Sequence, residues 1–301
     1  MKNFPNKTLA IIALVVAGII GGIVPIISKL LFRELSPLSV LFFSITIMLS
    51  VLVPINRTFF GELKKHWRHL VIFGLLWTGN VMLFILGVKH TTAVASQVLY
   101  AGVPLLVLVE QYIARAERIV PRQIVGIFLG FAGVLVLAIG SLGGSTDLGS
   151  FRGNLLIFLG TFSWASYLVL SKRFSVHIRP MTLTTASAIV AWGISLVALL
   201  LVEGVGGFTS IQSLSFLGWM LLLCMGLVVR VGMILLYNWG IKHGSSVAAG
   251  SMVYVSTITS AIVAPLILGE QLTLRLVVAA ALLFSGVFLT TTYSLFKVGR
   301  P

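Results

Sequence analysis

The sequence predicts an all-α integral membrane protein: ten transmembrane helices arranged as two inverted repeats of five. Three observations carry this prediction. The composition is strongly apolar, hydrophobic windows of bilayer length recur along the whole chain, and a set of residues returns once at constant spacing.

Of the 301 residues, 58% are hydrophobic and only 9% charged, whereas soluble domains carry about a quarter charged residues. The bilayer is therefore the expected solvent and partner. The net charge of +14 does not signify nucleic acid, because the basic residues lie in short clusters between apolar segments and not on one folded face. A single cysteine, Cys224, rules out an intrachain disulfide.

In chain order, the first window (9–32) follows Lys2 and Lys7 as a signal peptide would. It runs for about 20 apolar residues without an A-x-A cleavage site before Ser28 and Lys29, so it is expected to be a retained helix. Windows 37–53, 70–88, 92–114 and 121–139 complete the first half. The second half has windows 154–174, 181–202, 215–241, 245–268 and 274–296. Turn chemistry separates them at Leu35-Ser36-Pro37, at 140–149 and at Val205-Gly206-Gly207. The long unbroken apolar runs exclude a transmembrane β-barrel, whose strands alternate with a period of two.

Basic residues set the orientation. With the N-terminus inside, the inner segments hold Lys2, Lys7, Arg57, Lys64, Lys65, Arg68, Arg115, Arg118, Arg122, Lys172, Arg173, Arg179, Lys242, Lys297 and Arg300. The outer ones hold Lys29, Arg33, Lys89, Arg152 and Arg275. This bias of about three to one predicts cytoplasmic termini and an even number of crossings in a cell (inner) membrane.

The repeat is visible in rare residues as well as in apolar ones. Gly79, Gly87, Lys89, His90, Glu117, Arg122, Phe131 and Gly133 return at one ungapped shift as Gly232, Gly240, Lys242, His243, Glu270, Arg275, Phe284 and Gly286. A second shift aligns Ser28, Lys29 and Pro37 with Ser171, Lys172 and Pro180. The expected division is 1–145 and 146–301. Five crossings per half is an odd number, so the second copy enters from the opposite side, as in alternating-access carriers with a midplane site.

The Ala116-Glu117 and Gly269-Glu270 pairs, with Phe131-Ala132-Gly133-Val134 and Phe284-Ser285-Gly286-Val287, resemble the EamA branch of the drug/metabolite transporter superfamily across essentially the whole chain. Alanine replaces the usual glycine in the first pair. The resemblance implies an exporter or exchanger of small metabolites, commonly amino acids. It also implies a central cavity bounded by helices one, three, four, six, eight and nine, with the two glutamates structuring loops.

Arg230 is the leading candidate for substrate contact, since an arginine at the centre of an apolar helix costs about 2.5–3.5 kcal/mol to insert. Its counterpart in the repeat is Trp77, so symmetry breaks where an asymmetric ligand would require it. Two roles are open: binding an anionic group such as a carboxylate, or a structural ion pair with Glu110. Glu110 is either a proton-coupling group or an interfacial residue pairing locally. Trp77, Asn80, Gln97, Tyr100, Trp164, Tyr167, Asn238 and Tyr254 are the accompanying polar and aromatic candidates, each open to a packing role.

His66, His69, His90, His177 and His243 fall near helix ends, so no metal is expected. No phosphate-binding loop is present, so no nucleotide cofactor is expected to drive the cycle. The expected function is secondary transport of small organic metabolites, amino acids or related carboxylates, without enzymatic turnover. The alternatives are export of cationic or hydrophobic drugs and, in a different class, a membrane-embedded lipid-modifying enzyme.

Overall fold

The computed structural model describes residues 4–56, 59–114, 120–142, 148–174, 178–243 and 246–297, and among these every regular element is helical. The first half contains α1 (Phe4–Leu31), α2 (Pro37–Ile55), α3 (Phe59–Val88), α4 (Ala93–Tyr100), α5 (Val103–Ile113) and α6 (Pro121–Leu142). The second contains α7 (Phe151–Phe174), α8 (Pro180–Glu203), the short α9 (Val205–Thr209), α10 (Phe216–Leu223), a π-helical segment (Cys224–Gly232), α11 (Met233–His243), α12 (Ser246–Leu268) and α13 (Leu274–Lys297). Among the described residues, 8 stretches are long and apolar enough to cross a bilayer, and Met252–Leu268 and Leu274–Thr290 are shorter apolar helices.

Local chemistry sets most boundaries. Ser36, Thr92 and Ser215 accept hydrogen bonds from backbone N–H groups three residues on and so cap α2, α4 and α10. Proline opens α2 and α8, where its missing N–H costs nothing. The crossing expected at 92–114 is broken into α4 and α5 at Ala101-Gly102, just before Pro104, which cannot donate to the carbonyl of Tyr100.

Two expectations shift. The third helix begins at Phe59, not at 70, because its charged first turns carry the helix beyond the apolar stretch, with a kink at His66 (φ −125°, ψ 17°). The turn expected at Val205-Gly206-Gly207 is a short helix instead. The chain reverses one residue earlier, at Gly204, whose φ of 60° suits only glycine without strain.

Two main clusters dominate the core, beside two small ones around Leu199 and Leu106. One joins α2, α3 and α8 around Leu41, Ile45, Leu70, Phe73 and Ala188. The other joins α4, α6, α12 and α13 around Val98, Leu137, Ala264 and Leu283. Large apolar residues also face outward, among them Phe128, Leu201, Phe216 and Leu266, which suits a lipid-facing surface. The main packing partners are α6 with α13, α3 with α7 and α8, α1 with α11 and α12, and α2 with α8 and the π segment.

Polar contacts tie the connections together at the end where α1 finishes. Glu270 accepts from the N–H groups of Ala93 (2.7 Å) and Val94 (3.2 Å), so it caps α4, and it pairs with Lys29 at 3.0 Å. Ser36 donates to Glu203 at 2.5 Å, and Ser215 donates to Glu34 through its backbone N–H (2.6 Å) and hydroxyl (2.7 Å). At the opposite end, Asn56 donates to Thr185 (3.1 Å) and Arg179 pairs with Glu62 (3.2 Å).

The backbone and hydroxyl donors of Ser215 hold the Glu34 carboxyl below its ordinary value of 4.5. A carboxyl lowered in the folded state stabilises the fold above its unfolded pKa, and that contribution is lost as pH falls through the lower folded value. Thermal scans in the acid range are therefore expected to show a stability increment in the native chain that Glu34→Gln lacks. Parallel curves for the two proteins across that range would contradict it.

Candidate functional site

A cavity of about 550 Å³ lies at the centre of the bundle. Gly21, Val24 and Ser28 of α1 line it, with Trp77, Asn80, Val81, Phe84 and Ile85 of α3. Gln97 and Tyr100 of α4, Trp164 of α7, and Met225, Arg230, Met233 and Tyr237 of the π segment and α11 complete its middle. Gln111 of α5, Gln123, Met252 and Thr290 extend it toward the end where α1 begins. The volume is that of an ordinary small-molecule site.

Arg230 sits in the π segment, 9% exposed. Its Nε donates to the Ser44 hydroxyl at 2.8 Å, and its guanidinium lies 5.9 Å from the centre of the Trp77 ring. That is the guanidinium's one hydrogen bond to the described residues, and its Nη groups make none there. Wider π turns rotate the residues that follow them, and such turns recur at functional sites. The related stretch of α3 around Trp77 is α-helical, so the second half differs locally where the cation sits.

Two amides in the wall also join helices. Pro25 has no N–H to give the carbonyl of Gly21 four residues earlier, and Gln97 Nε2 donates to that carbonyl at 3.3 Å. Asn80 Nδ2 donates to the carbonyl of Gly160 at 2.9 Å and to the Tyr100 hydroxyl, linking α3, α7 and α4. Their amide nitrogens therefore serve the scaffold.

Of the sequence candidates, Arg230, Trp77, Asn80, Gln97, Tyr100 and Trp164 line the one cavity. Tyr167 does not. It stacks on Trp164 (5.1 Å between centres, 9° between planes) and meets Phe73 edge-on, because a residue three positions along the helix shares the face but lies deeper in the α3 contact. Tyr254 is likewise outside the lining, packed against Phe284. The side chain of Asn238 and the Ala116-Glu117 pair lie outside the described residues.

The Glu110–Arg230 ion pair, one of the two roles open to Arg230, is absent among the described residues: Glu110 accepts from Ser166 at 3.0 Å. Ser44, Gln111, Gln123 and Tyr237 belong to the site environment and were not candidates.

Comparison with known proteins decides the family. The profile of the EamA-like transporter family matches the chain twice, over residues 8–139 and 151–292. The chain belongs to this family. An uncharacterized transporter of Archaeoglobus fulgidus is 25% identical over 95% of this chain and 98% of its own length. Uncharacterized transporter YyaM of Bacillus subtilis is 30% identical over 146 residues, and that alignment spans only 48% of each protein. Uncharacterized transporter YetK of the same organism is 25% identical over 81% of this chain and 74% of its own.

A solved crystal structure, 17% identical, superimposes with a TM-score of 0.65 over 98% of this chain and 100% of that one, a likeness of fold. This EamA chain is thus a multi-pass membrane protein of a transporter family. A transporter family implies a small-molecule substrate.

Proposed function

We propose that the chain is a secondary transporter of the cell (inner) membrane, with both termini cytoplasmic, that exports or exchanges small organic carboxylates, amino acids among them, by alternating access. It has ten crossings in two inverted halves, 1–145 and 146–301. Three features support the architecture. The family profile matches in tandem. The packing partners also exchange when the halves are exchanged: α1 meets α12 as α7 meets α4 and α5, and α3 meets α7 as α11 meets α1. Finally, Arg230 contacts Trp77, its own repeat counterpart, as expected beside a pseudo-two-fold axis.

The observation that carries the substrate reading is Arg230: a buried guanidinium, lining the cavity, with two nitrogens uncommitted. With the charge bias of the loops, the stitched end (Glu270, Glu203, Glu34) is extracellular. The cavity extends to Gln111 and Gln123 on the cytoplasmic side, so this state is the one that loads from the cytoplasm. Counterflow of labelled carboxylates into proteoliposomes tests the reading. Saturable flux supports it. Turnover of a lipid or soluble substrate without flux would favour a membrane-embedded enzyme, and flux of organic cations alone would favour drug export.

Glu110 is the proposed coupling group, since it is the carboxyl nearest in sequence to a lining residue, Gln111, and is partly buried against Ser166. Glu110→Gln is expected to leave counterflow intact and to lower proton-driven uphill accumulation at least tenfold. Unchanged uphill accumulation in Glu110→Gln liposomes would remove Glu110 from the coupling step.

A further inference from the structure

We infer that the preferred substrate is a monocarboxylate with an apolar or aromatic body and no ammonium group. This deepens the reading of Arg230 as an anion anchor and rests on it. The cavity lining has one full charge among its described residues, the Arg230 guanidinium, and no carboxylate. Glu110 turns to Ser166, while Glu270 and Lys29 neutralise one another outside the lining. A single negative charge therefore balances the site, and a second one would be left unpaired.

The geometry works against a zwitterion more than against a plain acid. A carboxylate docked on the Nη groups would hold an α-ammonium within a few ångströms of the guanidinium, where like charges repel and no anion compensates. The remaining polar wall offers only neutral dipoles. The amide nitrogens of Gln97 and Asn80 are engaged with backbone carbonyls, leaving amide oxygens that can accept from an ammonium but carry no charge to balance it, and the Trp77 ring, the natural partner for an organic cation, already faces Arg230. Around this polar spot the wall is apolar and polarisable, with Phe84, Trp164, Met225, Met233 and Met252 suited to a flat or branched hydrocarbon body.

The test uses four probes that share one body: 3-phenylpropanoate, phenylalanine, 2-phenylethylamine and phenylsuccinate. Binding to the purified full chain is measured by calorimetry, and each probe is also tried as competitor in counterflow. We expect 3-phenylpropanoate to bind at least tenfold tighter than phenylalanine or phenylsuccinate and the amine to be weakest. In Arg230→Gln the preference among acids should vanish.

Arg230→Lys, which keeps the charge, should weaken binding but preserve the order, so the result does not depend on one variant folding. Equal or tighter binding of phenylalanine, still lost in Arg230→Gln, would overturn this inference and leave the anion anchor standing. Tightest binding of the amine, indifferent to Arg230→Gln, would overturn both, as would failure of every acid to bind the native chain.

Discussion

Replacing Arg230 with alanine is expected to lower carboxylate transport by about 10²- to 10³-fold. A charge-assisted hydrogen bond contributes about 1.5–3 kcal/mol, and the two free Nη groups together supply about 3–4 kcal/mol of discrimination, with 1.4 kcal/mol per factor of ten. Arg230→Lys should fall between, since an ammonium keeps the charge but cannot hold Ser44 and grip a carboxylate bidentately at once. Counterflow rates in proteoliposomes measure both.

Stability should move the other way. Among the described residues the buried guanidinium has a hydroxyl and a ring as partners and no anion, so its desolvation is incompletely repaid. Arg230→Met, similar in length and apolar, is therefore expected to raise the unfolding temperature by several degrees, or about 1 kcal/mol or more. A structural arginine would behave oppositely, its loss costing about 3–5 kcal/mol. A variant that transports poorly and also melts several degrees lower would show Arg230 to be a scaffold residue.

The helical membrane class was legible because an apolar run of bilayer length has few other uses, and the tandem family match agrees with the residues that recur between the halves. That Arg230 would sit inside the protein and not against lipid was legible for the same energetic reason in reverse: a cost of that size is avoided by burial in the protein. Its partner was not. A serine such as Ser44 can bond its own helix, here the carbonyl of Leu41 at 3.1 Å, so it sits in an apolar run without any signal of further use.

Gln97 was half legible. Pro25 announces an orphan carbonyl at Gly21, but which side chain answers it depends on how α1 meets α4. The two tyrosines outside the lining have a related cause. Spacing places Tyr167 on the Trp164 face of α7, but only the packing reveals that the rings stack on one another with Tyr167 turned toward Phe73.

The second large effect concerns a close helix crossing. Between α6 and α13, a Cβ built on Gly286 would lie 2.6 Å from the Gly130 nitrogen and 2.9 Å from its Cα, and one on Gly126 would lie 2.7 Å from the Gly286 oxygen. These are backbone atoms, which cannot swing aside as the end of a side chain can. Accommodating even alanine at 286 requires the helices to part, which loosens the seam that buries Leu137, Leu283 and Val287.

Gly286→Ala is therefore expected to cost about 3 kcal/mol, at the upper end for an overpacked site, and to lower the unfolding temperature in detergent by several degrees. Gly193→Ala is the matched control, in α8 with nothing within 4 Å of its added Cβ. There the substitution removes a flexible residue from a helix and should be neutral or stabilising by up to about 1 kcal/mol. The contrast isolates packing from helix propensity, because both substitutions add the same methyl group to a helix interior. Equal melting of the two variants would mean that α6 and α13 do not approach this closely.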